Sequence, residues 1–240
     1  APRLSAKPYA VFIVHCEPQN ADTNSFFNLR DMVVKADQQQ VKLTIDFTPQ
    51  WVEMILNNPV FFNSVTQWYE TGHELGAHHH PYWISETRGT TWDGYTNTPQ
   101  GEISDSNPTD YLGDMDDYLD LLNQLPGTRT SGTLGINHGQ DVLDWPHNLL
   151  YSADGHEFDD IVGRPQMVEY AGHAVWQMRH GSFWNATSAQ LESAYESAVS
   201  GDIVAVITHV SNYEDSFFNT QAVNNYFSFL GSKDPSGNSL

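Results

Sequence analysis

The segment Tyr9–Cys16, YAVFIVHC, is an unbroken apolar and β-branched run of strand length. That pattern is expected of a strand buried on both faces. Residues 26–39 follow with Phe27, Leu29, Met32 and Val33 at helical spacing. A second strand is predicted over 41–47, VKLTIDF, then a helix over 49–58 with Pro49 near its start. Another helix runs from Asn63 to a stop at Gly72, leading into a short strand, Glu74–His78. Over 109–127, Tyr111, Leu112, Met115, Leu119 and Leu122 lie mostly three and four residues apart, and Pro126-Gly127 ends the helix. Residues 149–155, 173–178 and 202–210 read as later strands, with a capped helix over 186–201 between the last two. Strands alternating with helices predict a mainly parallel α/β sheet, open or closed into a barrel. No long repeat or linker divides the chain, so residues 1–240 read as a single domain.

In either form of the sheet, the C-terminal strand ends face the functional rim. The first strand ends in His15-Cys16-Glu17, the second near Asp46, the third in His78-His79-His80 and the last in His209. Imidazole with carboxylate is a standard donor set for Zn²⁺ and similar divalent ions. In extended chain, His78 and His80 point to the same side, about 6–7 Å apart along the backbone, and His15 and Glu17 share that relation. A histidine run is otherwise a solvated loop, and His209 otherwise a satisfied core residue. Cys16 reads as a small buried hydrophobe rather than a nucleophile, and His73 as a residue of a helix end.

Residues 83–111 form a long insertion on the rim, rich in Trp, Tyr, Gly and short polar residues. Long rim loops are usually functional or disordered. Trp83, Trp92, Asp93, Tyr95 and Asn97 are candidates to meet a ligand there; the alternative is a loop that simply packs over the barrel mouth. Trp145 and Trp176 are candidates for the groove wall or for the core.

Composition narrows the partners. Thirty acidic residues against ten basic ones give a net charge of −20, which argues against nucleic acid, whose binding needs clustered Lys and Arg. No run approaches the roughly 20 apolar residues that span a bilayer, so no membrane insertion is expected. The single cysteine leaves no internal disulfide. Low lysine with abundant Asn, Gln, Ser, Thr and Trp predicts a secreted or extracytoplasmic protein. The opening APRLSAKPYA lacks the charged and apolar regions of a signal peptide.

GHELGAH (Gly72–His78) resembles the Gly-His-Glu-Ile-Gly-x-His motif of the polysaccharide deacetylases of carbohydrate esterase family four. VKLTIDFTPQWVEMI is similar to that family's second strand and following helix, and Ile207-Thr208-His209 to its late Leu-x-His. VHCEP stands where the family has an acidic pair, and Tyr82 stands where it has its second metal histidine. The Arg-x-Pro motif is not recognisable, although GTRTSGTLG occupies about its place. The resemblance implies a distorted or incomplete (β/α) barrel of the polysaccharide-deacetylase type. It implies one divalent metal ion, zinc by preference, held by His15, Glu17, His78 and His80, the last in place of the family's second histidine. The implied reaction removes acetyl groups from an N- or O-acetylated polysaccharide or oligosaccharide. Glu17 or Asp46 would serve as base, or His15 if Glu17 ligates, and His209 as acid. With a sugar substrate so implied, the substrate-binding candidates are Trp83, Trp92, Tyr95 and Trp145, the first three to stack on sugar rings, with Asp93 and Asn97 bonding hydroxyls. Two other readings stay open: a glycoside hydrolase or lyase on the same rim, and a degenerate sugar-binding module.

Overall fold

A strand with apolar residues on both faces needs two cores, and β1 (Tyr9–Cys16) has them. Phe12, Val14 and Cys16 join a large cluster shared with the helices, whereas Ile13 joins a small one with Ala153, Met178, Ala205 and Ile207. The computed structural model describes residues 7–80, 92–98, 111–128, 132–133, 141–146, 149–156, 162–170, 172–183, 186–213 and 220–235. After β1 come α1 (Thr23–Gln38), β2 (Leu43–Phe47), α2 (Pro49–Leu56), α3 (Pro59–Glu70) and β3 (Glu74–His78). They are followed by α4 (Met115–Leu122), β4 (Gly132–Thr133), β5 (Tyr151–His156), β6 (Val162–Gly163) and β7 (Gln166–Tyr170). The chain continues through β8 (His173–Ser182), α5 (Ser188–Ser197), β9 (Ile203–His209) and α6 (Thr220–Lys233).

The strands lie in the order β6-β9-β1-β2-β3-β4-β5-β8-β7, and β8 also returns to β9. Among the described residues, β1 to β5 with β8 and β9 thus form a ring of parallel strands. The closing joint is only Gly181↔Val206 and Ser182↔Ile207, because β6 takes the start of the same β9 edge in antiparallel pairing. The mixed α/β fold is therefore a distorted barrel, as expected. The small apolar cluster fills its middle. At the N-terminal mouth, Val11, Glu74, Tyr151, Trp176 and Ile203 are among the residues lining a cavity of about 700 Å³. The polar strand ends lie at the other mouth.

Local chemistry sets the helix starts. The Asp22 side chain accepts from the Asn24 and Ser25 amides and begins α1. Pro49 and Pro59 stand in the first turns of α2 and α3, where a missing N–H costs nothing. The buried stripe of α1 is Phe26, Leu29, Met32, Val33 and Ala36, so Phe27, expected on that stripe, is instead 41% exposed. The helix predicted from 109 begins at Met115, because Asp114 and Asp117 form a capping box and Tyr111 and Leu112 stay outside it. The strands β4, β6 and β7 were not foreseen: two are two residues long and β7 is mostly exposed. α6 was not foreseen either, although Val223, Tyr226, Phe227 and Leu230 are buried at helical spacing. Among the described residues no helix is long and apolar enough to cross a membrane.

Phe12 is 1% exposed and meets Phe227 edge-on at 4.8 Å, with Phe183 and Tyr226 beside it. Phe12→Ala is expected to cost about 3–5 kcal/mol in urea unfolding. A loss under about 1 kcal/mol would mean that β1 and α6 do not share this core.

Candidate metal centre

The site begins with the way β1 stops. Pro18 follows Glu17 and starts a short 3-10 turn, and Glu17 keeps extended dihedrals (φ −67°, ψ 145°), as a residue before proline prefers. Extended backbone through Glu17 places its side chain on the same face as His15. Two buried donors hold this strand end: Thr48 Oγ1 bonds the Cys16 carbonyl at 2.8 Å, and Trp51 Nε1 bonds the Glu17 carbonyl at 2.9 Å. In the parallel ladders His15 is level with Asp46 on one side and His209 on the other. Level residues of paired strands project to the same face. Asp46 is itself level with Gly76, so His78, two residues on, projects to that face as well. The turn before β3 rests on Gly72, whose φ of +101° suits a residue without Cβ. His73 is buried there, its Nδ1 accepting from the Leu43 amide and its Nε2 meeting Asp37, which makes it structural.

Glu17 is the hub. Its Oε1 lies 3.2 Å from His78 Nε2 and 3.0 Å from His209 Nε2, and its Oε2 lies 2.8 Å from His80 Nε2. His78 and His80 bring their Nε2 atoms within 2.8 Å of each other. The His15 ring stacks on His78 with centroids 4.0 Å apart. One donor atom from each of His15, Glu17 and His78 falls within 4.8 Å of the others. His15, Glu17 and His78 are each 5% exposed, whereas the His209 side chain keeps 25% of its surface and faces the opening. The edge of buried His180 lies against His15 from β8, at 6.3 Å between centroids.

Burial by itself would raise the Glu17 pKa; the hydrogen bonds from His209, His78 and His80 outweigh it and hold the carboxyl well below its usual range. Burial lowers His15 well below the ordinary imidazole value, and the neighbouring His78 and His209 add to that, against a smaller opposing pull from Glu17. Burial also lowers His78, only partly opposed by Glu17. At neutral pH the Glu17 carboxylate is thus ionised beside the neutral rings of His15 and His78. The Cys16 thiol is pushed well above its normal range by burial, as befits a buried hydrophobe.

These atoms fit a cation. Asn212 Oδ1 accepts both the His209 amide and His209 Nδ1–H, each at 3.1 Å. A ring carrying that single proton would turn its Nε2 lone pair toward Glu17, acceptor against acceptor. His78 and His80 likewise set two Nε2 atoms against each other. Only protons or a metal ion reconcile such a set, and imidazoles with one carboxylate are the donors that divalent zinc takes. Asn212, in the 3-10 turn Val210–Tyr213 that follows β9, was not foreseen from the sequence. The one signal for it is a polar residue three places after a strand-end histidine.

The middle histidine points the other way. His79 Nδ1 lies 2.8 Å from Asp93 Oδ2 and Nε2 lies 3.1 Å from Asp144 Oδ2, with both carboxylates fully buried. Both nitrogens donate, and the two aspartates together overcome burial and raise the His79 pKa to about 10. Asp93 also accepts the His80 and Tyr95 amides, and Asp144 accepts the Asn97 amide and the Thr96 hydroxyl. Of the two residues expected to meet sugar hydroxyls, Asp93 is fully buried, and the exposed Asn97 turns its side chain to the Leu143 carbonyl and the Met115 amide. Asp144 was missed, having no sequence relation to the triplet.

Of the other expected residues, Asp46 is fully buried, level with His15. Tyr95 and Trp145 are packed in the large core at 6% and 3% exposure, where neither ring offers a face to a sugar. Their apolar surface is worth more against the core than against solvent. Trp92 is partly exposed, and Trp83 lies outside the described residues. Trp176 is half-exposed at the opposite mouth.

No family model and no curated protein matches the chain in sequence. Solved structures match it in fold. A 4-α-glucanotransferase from Thermococcus litoralis superposes with a TM-score of 0.59 and 11% identity, covering 94% of this chain. The present chain spans 36% of that enzyme's length. A protein from Mycobacterium smegmatis described as a polysaccharide deacetylase has a TM-score of 0.57 and 11% identity, over 98% of this chain and 87% of its own. A family 4 carbohydrate esterase from Streptomyces lividans, in complex with acetate, has a TM-score of 0.52 and 9% identity, over 97% and 91%. The chain thus has a fold similar to that of the carbohydrate esterases.

The His79 pairing has a pH signature. A pKa raised from 6.5 to about 10 contributes stability that is complete below 6.5 and lost as pH rises to about 10. The gap in urea-unfolding free energy between the native protein and Asp144→Asn is expected to be widest below pH 6.5 and to narrow toward pH 10. A gap that stays constant across that window would mean that His79 is not held charged by Asp144.

Proposed function

We propose that this chain is a divalent-metal-dependent deacetylase acting on an N- or O-acetylated polysaccharide or oligosaccharide. The observation that carries the reading is the meeting of Glu17 with the Nε2 atoms of His78, His80 and His209 at the open mouth of the barrel. The fold it shares with carbohydrate esterases, one of them holding acetate, supports it. Glu17, His78 and His80 would hold the ion, with a His15 nitrogen within 4.8 Å of ligand atoms of Glu17 and His78 and so in reach of the same point. The chemistry supplied there by a divalent cation such as Zn²⁺ is Lewis acidity, toward the acyl carbonyl and toward water.

The remaining groups divide the proton work. His15 is kept neutral by burial and stacks on His78 in the cluster, and takes the part of acceptor for the proton of an attacking water. Glu17, first considered as base, is held too acidic for that task by its three imidazole partners. Asp46, level with His15 and without exposed surface, is placed to support the imidazolium that His15 becomes. His209 is the most open of the group and is fixed by Asn212 at Nδ1, leaving Nε2 to deliver a proton to the departing amine or alcohol. Water and the acetyl derivative yield acetate and the free amine or hydroxyl. The substrate class and the composition together favour a secreted or extracytoplasmic location.

A second reading, transfer or hydrolysis at the glycosidic bond, has the glucanotransferase fold in its favour. It needs a carboxylic acid able to donate a proton, and Glu17 is held ionised. A chelator-insensitive cleavage of glycan chains without acetate release would establish it in place of deacetylation. Glycan binding with no turnover in added Zn²⁺, Co²⁺ or Ni²⁺ would reduce the site to a sugar-binding module.

The double variant His78→Ala/His80→Ala is expected to lose bound metal by mass spectrometry and to release no measurable acetate from acetylated glucosamine oligomers. Full metal stoichiometry in that variant would sink the assignment. His209→Ala is expected to keep its metal while kcat falls by about 10²–10⁴. Unchanged kcat would remove His209 from the proton path.

A further inference from the structure

We propose that His79, gripped by Asp93 and Asp144, is a positioning residue that aims His78 and His80 at Glu17. The inference rests on the metal-site reading above and extends it to residues that touch neither ion nor substrate.

The need for such a device follows from where the sheet ends. β3 stops at His78, so His79 and His80 have no strand ladder to set their direction. The grip on His79 supplies what the ladder would have. Asp93 holds the next residue by its backbone in both directions: its Oδ2 accepts the His80 amide at 2.8 Å, and its own amide donates to the His80 carbonyl at 3.2 Å. The same Oδ2 takes His79 Nδ1, so one carboxylate oxygen ties the ring of one residue to the peptide of the next.

The other arm closes a circuit back to His78. Asp144 Oδ1 accepts the Asn97 amide at 2.6 Å and the Thr96 hydroxyl at 3.1 Å. Asn97 Oδ1 accepts the Met115 amide at the start of α4. From α4, the Tyr118 hydroxyl is shared between the Phe47 and His78 carbonyls. His78, His79 and His80 are each secured from the helix side, which leaves the rings of His78 and His80 a single direction, toward the barrel axis. A pin that merely stabilised loops would not need to reach the peptides of both metal-facing histidines.

The test is Co²⁺ titration of the purified full chain, followed by visible absorption. Asp144→Asn is expected to weaken Co²⁺ binding by about 10–100-fold, the usual cost of removing a group that orients a ligand, and to alter the spectrum. Thr96→Val removes the hydroxyl that donates to Asp144 and accepts the Thr98 amide, keeps both aspartates, and is expected to weaken binding about 2–10-fold, the worth of one hydrogen bond to Asp144. This second variant carries the test should Asp144→Asn fail to fold. Val65→Ala, a truncation in the core of α3, is expected to lower the melting temperature and leave Co²⁺ affinity and spectrum unchanged. Wild-type affinity and spectrum in Thr96→Val and in any folded Asp144→Asn, with binding lost in His78→Ala, would overturn the positioning role and leave the metal site standing. Wild-type binding in His78→Ala would remove the metal site and this inference with it.

Discussion

A carboxylate that stays ionised inside a protein has to be matched by donors or by positive charge, because burial alone favours its neutral form. At the mouth of this barrel that carboxylate is Glu17, and the matching groups come from the ends of two strands, β3 and β9, that are far apart in sequence. Much of the local architecture serves to place it. Trp51 of α2 and Thr48 fix the end of β1, Pro18 turns the chain away, and the parallel register sets His209 level with His15. A shift of either ladder by one residue would turn His15 or His209 outward, since side chains alternate faces along a strand.

The same alternation explains the histidine triplet. Identical side chains in sequence meet opposite surroundings: His78 and His80 face an anion inside the barrel, while His79 sits between two buried aspartates. Each environment fixes a different charge state for the same chemical group. Burial beside other imidazoles keeps His78 neutral, and two aspartates keep His79 charged. The split puts the two functions of the run, holding the reactive face and anchoring the strand end, on adjacent residues.

The similarity to solved carbohydrate-active enzymes at 9–11% identity is a similarity of fold. A parallel barrel asks only for apolar residues on the two faces of its strands and for helices that cover the outside. Very different sequences meet that demand. The polar residues at the strand ends are under separate chemical demands, and here they include Glu17, one residue beyond Cys16, and a second histidine two residues after the first rather than four.

Sequence alone sufficed for whatever depends on periodicity. The apolar run of β1, the strands that pair with it, and the polar residues closing β1, β2, β3 and β9 were legible, because face alternation and strand ends are local properties. So were His15, Glu17, Asp46, His78, His80 and His209 as the groups near one rim. What pairs with what across the barrel was not legible. Asn212 behind His209, Asp93 and Asp144 around His79, and the burial of Tyr95 and Trp145 depend on how the connecting segments pack over the barrel. The partners of a buried charge are selected by three-dimensional proximity, and no spacing along the chain encodes it. Alternation along the chain already set His78 and His80 apart from His79; tertiary structure decided what each side meets, Glu17 on one and two buried aspartates on the other.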